Sequence, residues 1–435
     1  MDSTSIIQHY RREFQRLHTT NGSLTALRQA ALEQFSATGF PSSRQEDWRN
    51  LDLAPVSNNF QIATPAPEPD YFDDLDFKYQ PSTPRLVFVN GYFTAELSDL
   101  SRVPEGVIIN SLTYLLKTDP EQVAAALVQL PADSSNPFER LNTAFFNSGV
   151  KIDIAAGIAD PVALQLIFIT RPKVDRQVFQ LRNLINIGAG SQLNLIEQYI
   201  GIGDHNYFNN VVTDVTIREN GGFNCTKIQN ETPAGNQLST TNLIQQADSR
   251  SQALAVSLGG RLVRNNTRLN LNGSGARASL NGLYLGRGRQ VIDNHTLIDH
   301  TAPDCTSTEL YKGILDEDAQ AIFNGKIIVR PDAQKTDANQ VNRNLLLSKN
   351  ARVNTNPQLE IYADDVKCSH GSTIGQLDPD ALFYLRSRGI SAVQAQALMI
   401  NGFANEVLQT ITDEITRELV TNMVNDWFNN SPEIS

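Results

Sequence analysis

The chain has 435 residues, 40% of them apolar and 19% charged, enough for a substantial core shared among two or three domains. Its formal net charge of -11, with acidic residues spread along the chain, excludes the basic footprint by which proteins hold nucleic acids or anionic membrane surfaces. Three widely spaced cysteines, Cys225, Cys305 and Cys368, make no disulfide framework, and no apolar run has the length of a membrane span. A reducing compartment follows: the cytoplasm, or the plastid stroma if the chain is the processed form of a plant protein.

Residues 1–56 read as helical. Ile6, Ile7, Tyr10, Phe14 and Leu17 recur at three- and four-residue intervals, the stripe of an amphipathic helix. The same stretch lacks the apolar segment of a secretory signal. A second helix covers residues 24–35 with Ser23 as its cap, and Pro41 and Pro55 break the pattern. Residues 57–84, rich in proline and acids as in TPAPEPDYFDDLDFKYQPSTP, read as a linker running over the surface. A small α/β element occupies residues 85–150. RLVFVNGYFTAEL is a hairpin turning at Asn90-Gly91. Helices follow over residues 119–130, with Pro120 at the first position, and 137–146.

Across residues 151–376 the period changes to two. ALQLIFIT, QVFQLRNLINI, NVVTDVTI and AIFNGKIIV alternate apolar with polar side chains, as half-buried strands do. The turn signals GAGS, ENGG, ADSR, GSGA, DEDA and SKNA separate them, recurring in places roughly every 26–32 residues, a spacing typical of repeat architectures. Several short strands per repeat without helices point to coils stacked into a β-solenoid, although spacing alone leaves a β-sandwich open. Residues 377–435 are helical again. Asp378-Pro379 starts a helix that runs to Arg388 and stops at Gly389, and Ser391 starts another. Ile411, Ile415, Leu419, Met423 and Trp427 mark one face of a terminal helix. The helical regions are placed to cover the two ends of the solenoid, where edges would otherwise stay unpaired.

Several site readings can be weighed on residue chemistry. There is no phosphate-binding G-x-x-x-x-G-K-[ST] loop, so the chain does not hydrolyse ATP by itself. Gly273-Ser-Gly275-Ala-Arg-Ala278 satisfies the loose dinucleotide pattern but lies between two strands, where its glycines serve a turn. His295 and His300, five apart, fall on opposite faces of one strand and cannot share a metal. The acid pairs Asp316/Asp318 and Asp364/Asp365 read as solvated turn residues. They leave one alternative, a cytosolic β-helix enzyme acting on carbohydrate, which requires clustered acids along a solenoid face.

Cys368 and His370 differ from these. Two residues apart at the end of a strand-like segment, they project to one side. Thiolate and imidazole suit iron–sulfur or zinc chemistry, but two ligands cannot close a structural site, which takes four. The pair is therefore half of a site completed by another chain, or an ordinary buried thiol beside a surface histidine.

The strings DNHTLIDH, ELYKGIL, the run from AIFNGKIIVRPD through ADDVKCSHGSTIGQLD, and FYLRSRGIS resemble the core of the SufB/SufD family. The likeness continues more loosely through the alternating region to RQEDWRNLDL near the N-terminus. KCSHGSTIG is similar to the SufD branch, whereas SufB proteins carry a Glu-His-Glu arrangement and extra cysteines. Cys305, in PDCTSTELYKG, has a flavour of both branches. The resemblance implies a mainly β protein, a right-handed parallel β-helix between helical N- and C-terminal regions. It implies a scaffold of iron–sulfur cluster assembly rather than an enzyme. The partners it implies are a SufB-type paralogue and a SufC-type ATPase, with a homodimer formed when the chain is alone. No cofactor would be permanently bound; a transient iron–sulfur cluster would sit at the subunit interface. His370, with Cys368 as the weaker candidate, would be a nascent-cluster ligand shared with SufB, and Phe383, Arg386, Arg388 and Gly389 would meet SufC.

Overall fold

A strand with one face on a core favours an apolar or small side chain at every second position, and the segments beyond residue 148 supply one at most inward positions. The computed structural model describes residues 3–17, 22–57, 60–64, 75, 77–128 and 136–429. Much of the linker read at 57–84, and the last two residues of the helix read at 119–130, lie outside the described residues.

The N-terminal region comprises α1 (Ser3–Leu17), α2 (Ser23–Thr38), β1 (Gln61–Ile62), β2 (Arg85–Val89), β3 (Tyr92–Phe93), β4 (Val107–Ser111), α3 (Leu112–Thr118), α4 (Pro120–Val128) and α5 (Pro137–Phe145). The β2–β3 hairpin turns where expected, with Asn90 and Gly91 both at positive φ. Ser23 is not a cap. It is the first residue of α2, behind Gly22, and its hydroxyl donates to the Glu121 carboxylate of α4.

Sixteen strands then wind through eight coils: β5 (Ser148–Ile154), β6 (Val162–Thr170), β7 (Gln177–Ile187), β8 (Gln192–Gly201), β9 (Tyr207–Ile217), β10 (Gly222–Asn230), β11 (Gly235–Gln245), β12 (Arg250–Ser257), β13 (Leu262–Leu271), β14 (Arg277–Gly286), β15 (Val291–His300), β16 (Thr306–Leu315), β17 (Gln320–Val329), β18 (Thr336–Leu346), β19 (Arg352–Ile361) and β20 (Val366–Gly375). Odd-numbered strands form one sheet and even-numbered strands the other, each strand pairing in parallel with the one two places on. The protein is thus mainly β, with a parallel β-solenoid at its centre. Three helices close the chain: α6 (Pro379–Ser387), α7 (Ala392–Leu408) and α8 (Glu414–Asn429).

The turns explain how the coils stay in step. Gly157, Gly190, Asn220, Asp248, Gly275, Asp304 and Lys335 occupy one stacked position with positive φ. Each donates its backbone N–H to a carbonyl of the following coil, at 2.6 to 3.2 Å. Glycine takes the left-handed conformation without strain, and Asn and Asp tolerate it. The GAGS, ENGG, ADSR and GSGA signals are therefore one hydrogen-bonded stack. Gly273, read as part of a dinucleotide-like string, sits in this stack, where a Cβ would collide with the Ala247 backbone.

Inward side chains of both sheets make one long core, from Phe88 and Phe168 at one end to Ala338 and Ala363 at the other. Phe88 stacks on Phe168 and Phe168 on Tyr199, with ring centroids 5.0 and 5.1 Å apart. Outward side chains of the odd sheet, including Val178, Phe208, Leu238 and Ile322, pack against α1, α2 and α5. Those of the even sheet, including Ile228, Leu254, Leu283 and Ile314, pack against α7 and α8. This corrects one expectation: most of the helical packing lies along the two broad faces of the solenoid, and the C-terminal helices do not cover its last coil. A second correction concerns α8, whose buried residues are Thr416, Val420, Val424 and Trp427, while Ile415 is 55% exposed. A strict four-residue spacing drifts around a helix of 3.6 residues per turn, which carries Ile415 off the buried face.

Candidate ligand site at the open end of the solenoid

The last coil is where the architecture stops without a cover. Among the described residues β19 pairs only with β17 and β20 only with β18, leaving each of these ten-residue strands one unpaired edge. Pairing of β20 runs from Thr336↔Val366 to Leu345↔Gly375. Val366, Cys368, His370, Ser372 and Ile374 form its inward row. Three are half-buried, and His370 and Ile374 are exposed. The Ser372 hydroxyl meets Thr355 of β19 at 2.8 Å, tying the two final strands together.

Cys368 and His370 therefore share one side of one strand, at alternate positions and about 6.6 Å apart along the backbone. Cys368 packs against the end of the main core. Burial pushes its thiol above the ordinary range, opposed by the backbone of Ala338. His370 has no side-chain partner among the described residues. Among the described residues no group of three or more His, Cys, Asp or Glu is arranged to hold a metal ion. The donor set here is thus one sulfur and one imidazole at an uncovered mouth. It fits part of a shared site and not a closed one.

The other cysteines do not join them. Cys225 lies inside the solenoid on β10, its thiol driven up by burial and then by the Glu197 carboxylate. Cys305 is buried in the turn before β16, donating to the Gly273 carbonyl at 3.3 Å. The two histidines of β15 face opposite ways, as read from their spacing. His295 lies outward against Asp293 at 2.9 Å, and His300 is buried inward against Ser307 at 2.9 Å. The acids of the β16–β17 turn are occupied locally. Asp316 accepts from the Glu317 N–H at 2.8 Å, and Glu317 accepts from Gly288 N–H at 2.5 Å. Asp316 and Glu317 thus serve the backbone of the turn, as read from the sequence.

Phe383, Arg386, Arg388 and Gly389 lie together on and just after α6, a helix that buries none of its residues. Asp378 caps it, accepting from Asp380 N–H at 3.0 Å, and Gly389 ends it at φ +89. Phe383 is 75% exposed, and the Arg388 guanidinium sits 5.2 Å from the Tyr384 ring. The result is an exposed aromatic and basic knuckle, on the helix that follows β20.

Two features escaped the sequence reading. One is Arg264, buried between Asp293 at 2.5 Å and the Trp48 ring at 3.7 Å, on the wall of a polar groove of about 530 Å³. It clamps the RQEDW segment onto the odd sheet. The other is a polar row inside the even sheet, where Glu309, Gln340 and His370 are consecutive register partners. A glutamate at an inward position breaks the apolar alternation of TSTELYKGIL, and that was the available signal.

Comparison with known proteins covers nearly the whole chain. Residues 168–403 match the family described as SUF system FeS cluster assembly, SufBD core domain, and residues 2–166 match the SufBD protein N-terminal region. An iron–sulfur cluster assembly SufBD family protein of Synechocystis sp. is 35% identical over 405 residues, 90% of this chain and 88% of its own length. The iron–sulfur cluster assembly protein SufD of Escherichia coli is 31% identical, with 90% of each chain covered. A chloroplastic protein of Arabidopsis thaliana is 27% identical over 92% of this chain and 85% of its own.

Proposed function

The chain belongs to the SufBD family of iron–sulfur cluster assembly proteins, and from that premise we propose that it is a SufD-type scaffold subunit and not an enzyme. The observation that carries the reading is the last coil. Full-length strand edges and a sulfur–imidazole pair are uncovered at the same place. Unpaired edges take up strands of a partner by main-chain hydrogen bonding. A SufB-type paralogue seated there would cover β19 and β20 and bring the remaining ligands to Cys368 and His370. The nascent iron–sulfur cluster is the cargo of that interface, held in part by His370 and released to acceptor proteins. A second copy of this chain could occupy the same end when the paralogue is missing.

The knuckle of α6 is the candidate dock for a SufC-type ATPase. Phe383 supplies an apolar anchor, and Arg386 and Arg388 supply charge around it. α6 leads into α7, which Lys312 of the solenoid grips through the Phe403 carbonyl and the Glu406 carboxylate. Closure of the ATPase subunits would be passed along that connection to the coils, a two-state coupling. No described helix is long and apolar enough to cross a membrane, and bacterial and chloroplastic relatives favour the cytoplasm or the plastid stroma.

Co-purification tests the scaffold: the full chain should hold both a SufBD paralogue and a P-loop ATPase. His370→Ala should leave that complex intact and reduce cluster formation on it at least tenfold. Normal cluster formation in this variant would remove His370 from the site. Failure to capture either partner would remove the scaffold assignment.

A further inference from the structure

His370 is the last member of a row that begins deeper in the solenoid with a carboxyl group. Glu309 of β16 pairs in register with Gln340 of β18, and Gln340 with His370 of β20. The first two are buried, at 1% and 0% exposure. The Gln340 amide Nε2 donates to Glu309 Oε2 at 2.6 Å. Opposite it, on β17, stands Gly325, where any Cβ would collide with the same Nε2. The odd sheet thus leaves a slot that the Gln340 side chain fills, which fixes its direction.

The other end of that amide is unanswered. Gln340 Oε1 is buried and, like several other amide oxygens inside the coils, has no hydrogen-bond donor among the described residues, so it is open to one from outside its own coil. An amide carries its oxygen and nitrogen on opposite sides of the same carbon. Giving its N–H to the preceding coil, it turns its carbonyl away from that coil, toward the following one. The following coil lies about 4.8 Å on and carries His370 at the matching position. Its imidazole is exposed and has no partner among the described residues, so no described group competes with that carbonyl for its N–H.

We propose that Gln340 is a positioning residue for His370: its Oε1 accepts a hydrogen bond from one imidazole N–H, and Glu309 holds the amide in the orientation that makes this possible. The bond selects one tautomer and leaves the other ring nitrogen, with its lone pair, facing out of the solenoid mouth. Partners of this kind orient ligating histidines by fixing which nitrogen is available. The proposal rests on the reading of His370 as a cluster ligand for its purpose, but the hydrogen bond itself belongs to the isolated chain.

The test is therefore made without partner or cluster. Nitrogen-15 spectra of the full chain, histidine-labelled and held at pH 8, report the tautomer of each imidazole, and His370→Gln identifies the signals of His370. The unaltered protein should show a single tautomer at His370. Gln340→Met should convert it to the mixture shown by free imidazole side chains in the same buffer. Gln340→Asn, which withdraws the carbonyl by one methylene, should do the same, and it serves if the methionine variant fails to fold. A His370 that already shows the free mixture in the unaltered protein overturns the proposal, as does a single tautomer that survives in a folded variant. Neither result touches the cluster reading, which stands or falls on cluster formation in His370→Ala.

Discussion

The two ends of the solenoid are built from similar strands and finished in opposite ways. At the N-terminal end both sheets run down to short edges, the five residues of β4 and the two of β3, behind a stack of aromatic rings. At the C-terminal end both sheets stop at full length, with ten residues each in β19 and β20. In β9 every residue except Thr216 is buried, whereas seven of the ten in β20 are exposed. Long uncovered edges invite pairing with other chains, and proteins that remain alone avoid them. Backbone pairing and turn chemistry make the strand. What covers it is a separate matter, and at the last coil no described strand of the chain pairs with the outer edges.

Substitutions inside and outside the covered coils should part company most widely. Phe323 of β17 is fully buried with its ring 5.2 Å from that of Tyr311, so Phe323→Ala should cost about 3–5 kcal/mol in urea unfolding. Ile374 of β20 is 48% exposed, and Ile374→Ala should cost no more than about 0.5 kcal/mol. Equal losses at the two sites would erase the distinction between the ends.

The covered coils should also respond to pH. Glu231 is buried at the corner after β10, accepting from the Tyr207 hydroxyl and from the Asn209 amide at 2.8 Å. Burial pushes its carboxyl up to about 7, against those donors. Its folded value then lies above its unfolded one, so the folded state keeps a proton that the unfolded state gives up. The stabilisation is fully present below the unfolded value near 4.5 and is lost as pH rises through about 7. The loss is on the order of 3 kcal/mol. Glu231→Gln keeps the shape and removes the titration, so the variant should gain on the parent between pH 5 and pH 7 and level off above that. Parallel profiles over that range would mean that Glu231 does not titrate in the folded protein.

Much of this contrast was open to reading before any coordinates, and the reasons for the rest are physical. Period-two alternation and left-handed turn residues are local, so the strands and the stacked turns could be read directly. So could the common side of Cys368 and His370 and the opposed sides of His295 and His300, because each pair lies on one strand. The Glu309–Gln340–His370 row could not, since its members are thirty or so residues apart and register between coils is set by turn lengths. The placement of the helices was missed because an apolar stripe names a buried face and not the surface that buries it. The RQEDW segment was noticed for its likeness to a family, while its anchor, Arg264, lies on a strand far along the chain.

The smallest effect on stability should accompany a large effect on assembly. Ile361, Tyr362 and Ile374 are exposed together on and just beyond the last two strands, at 42, 59 and 48%. A lysine at Ile374 meets water in the isolated chain, so Ile374→Lys should shift its unfolding free energy by no more than about 0.5 kcal/mol. In an assembly that covers β20, the same ammonium would be carried into a dry interface, where an unpaired charge is strongly disfavoured. Association should weaken by roughly tenfold or more, the equivalent of about 1.4 kcal/mol. Sedimentation of the chain alone and titration with a SufBD paralogue would measure it in both kinds of pair. Undiminished association in a correctly folded variant would place the partner elsewhere on the molecule and leave the last coil an edge without a mate.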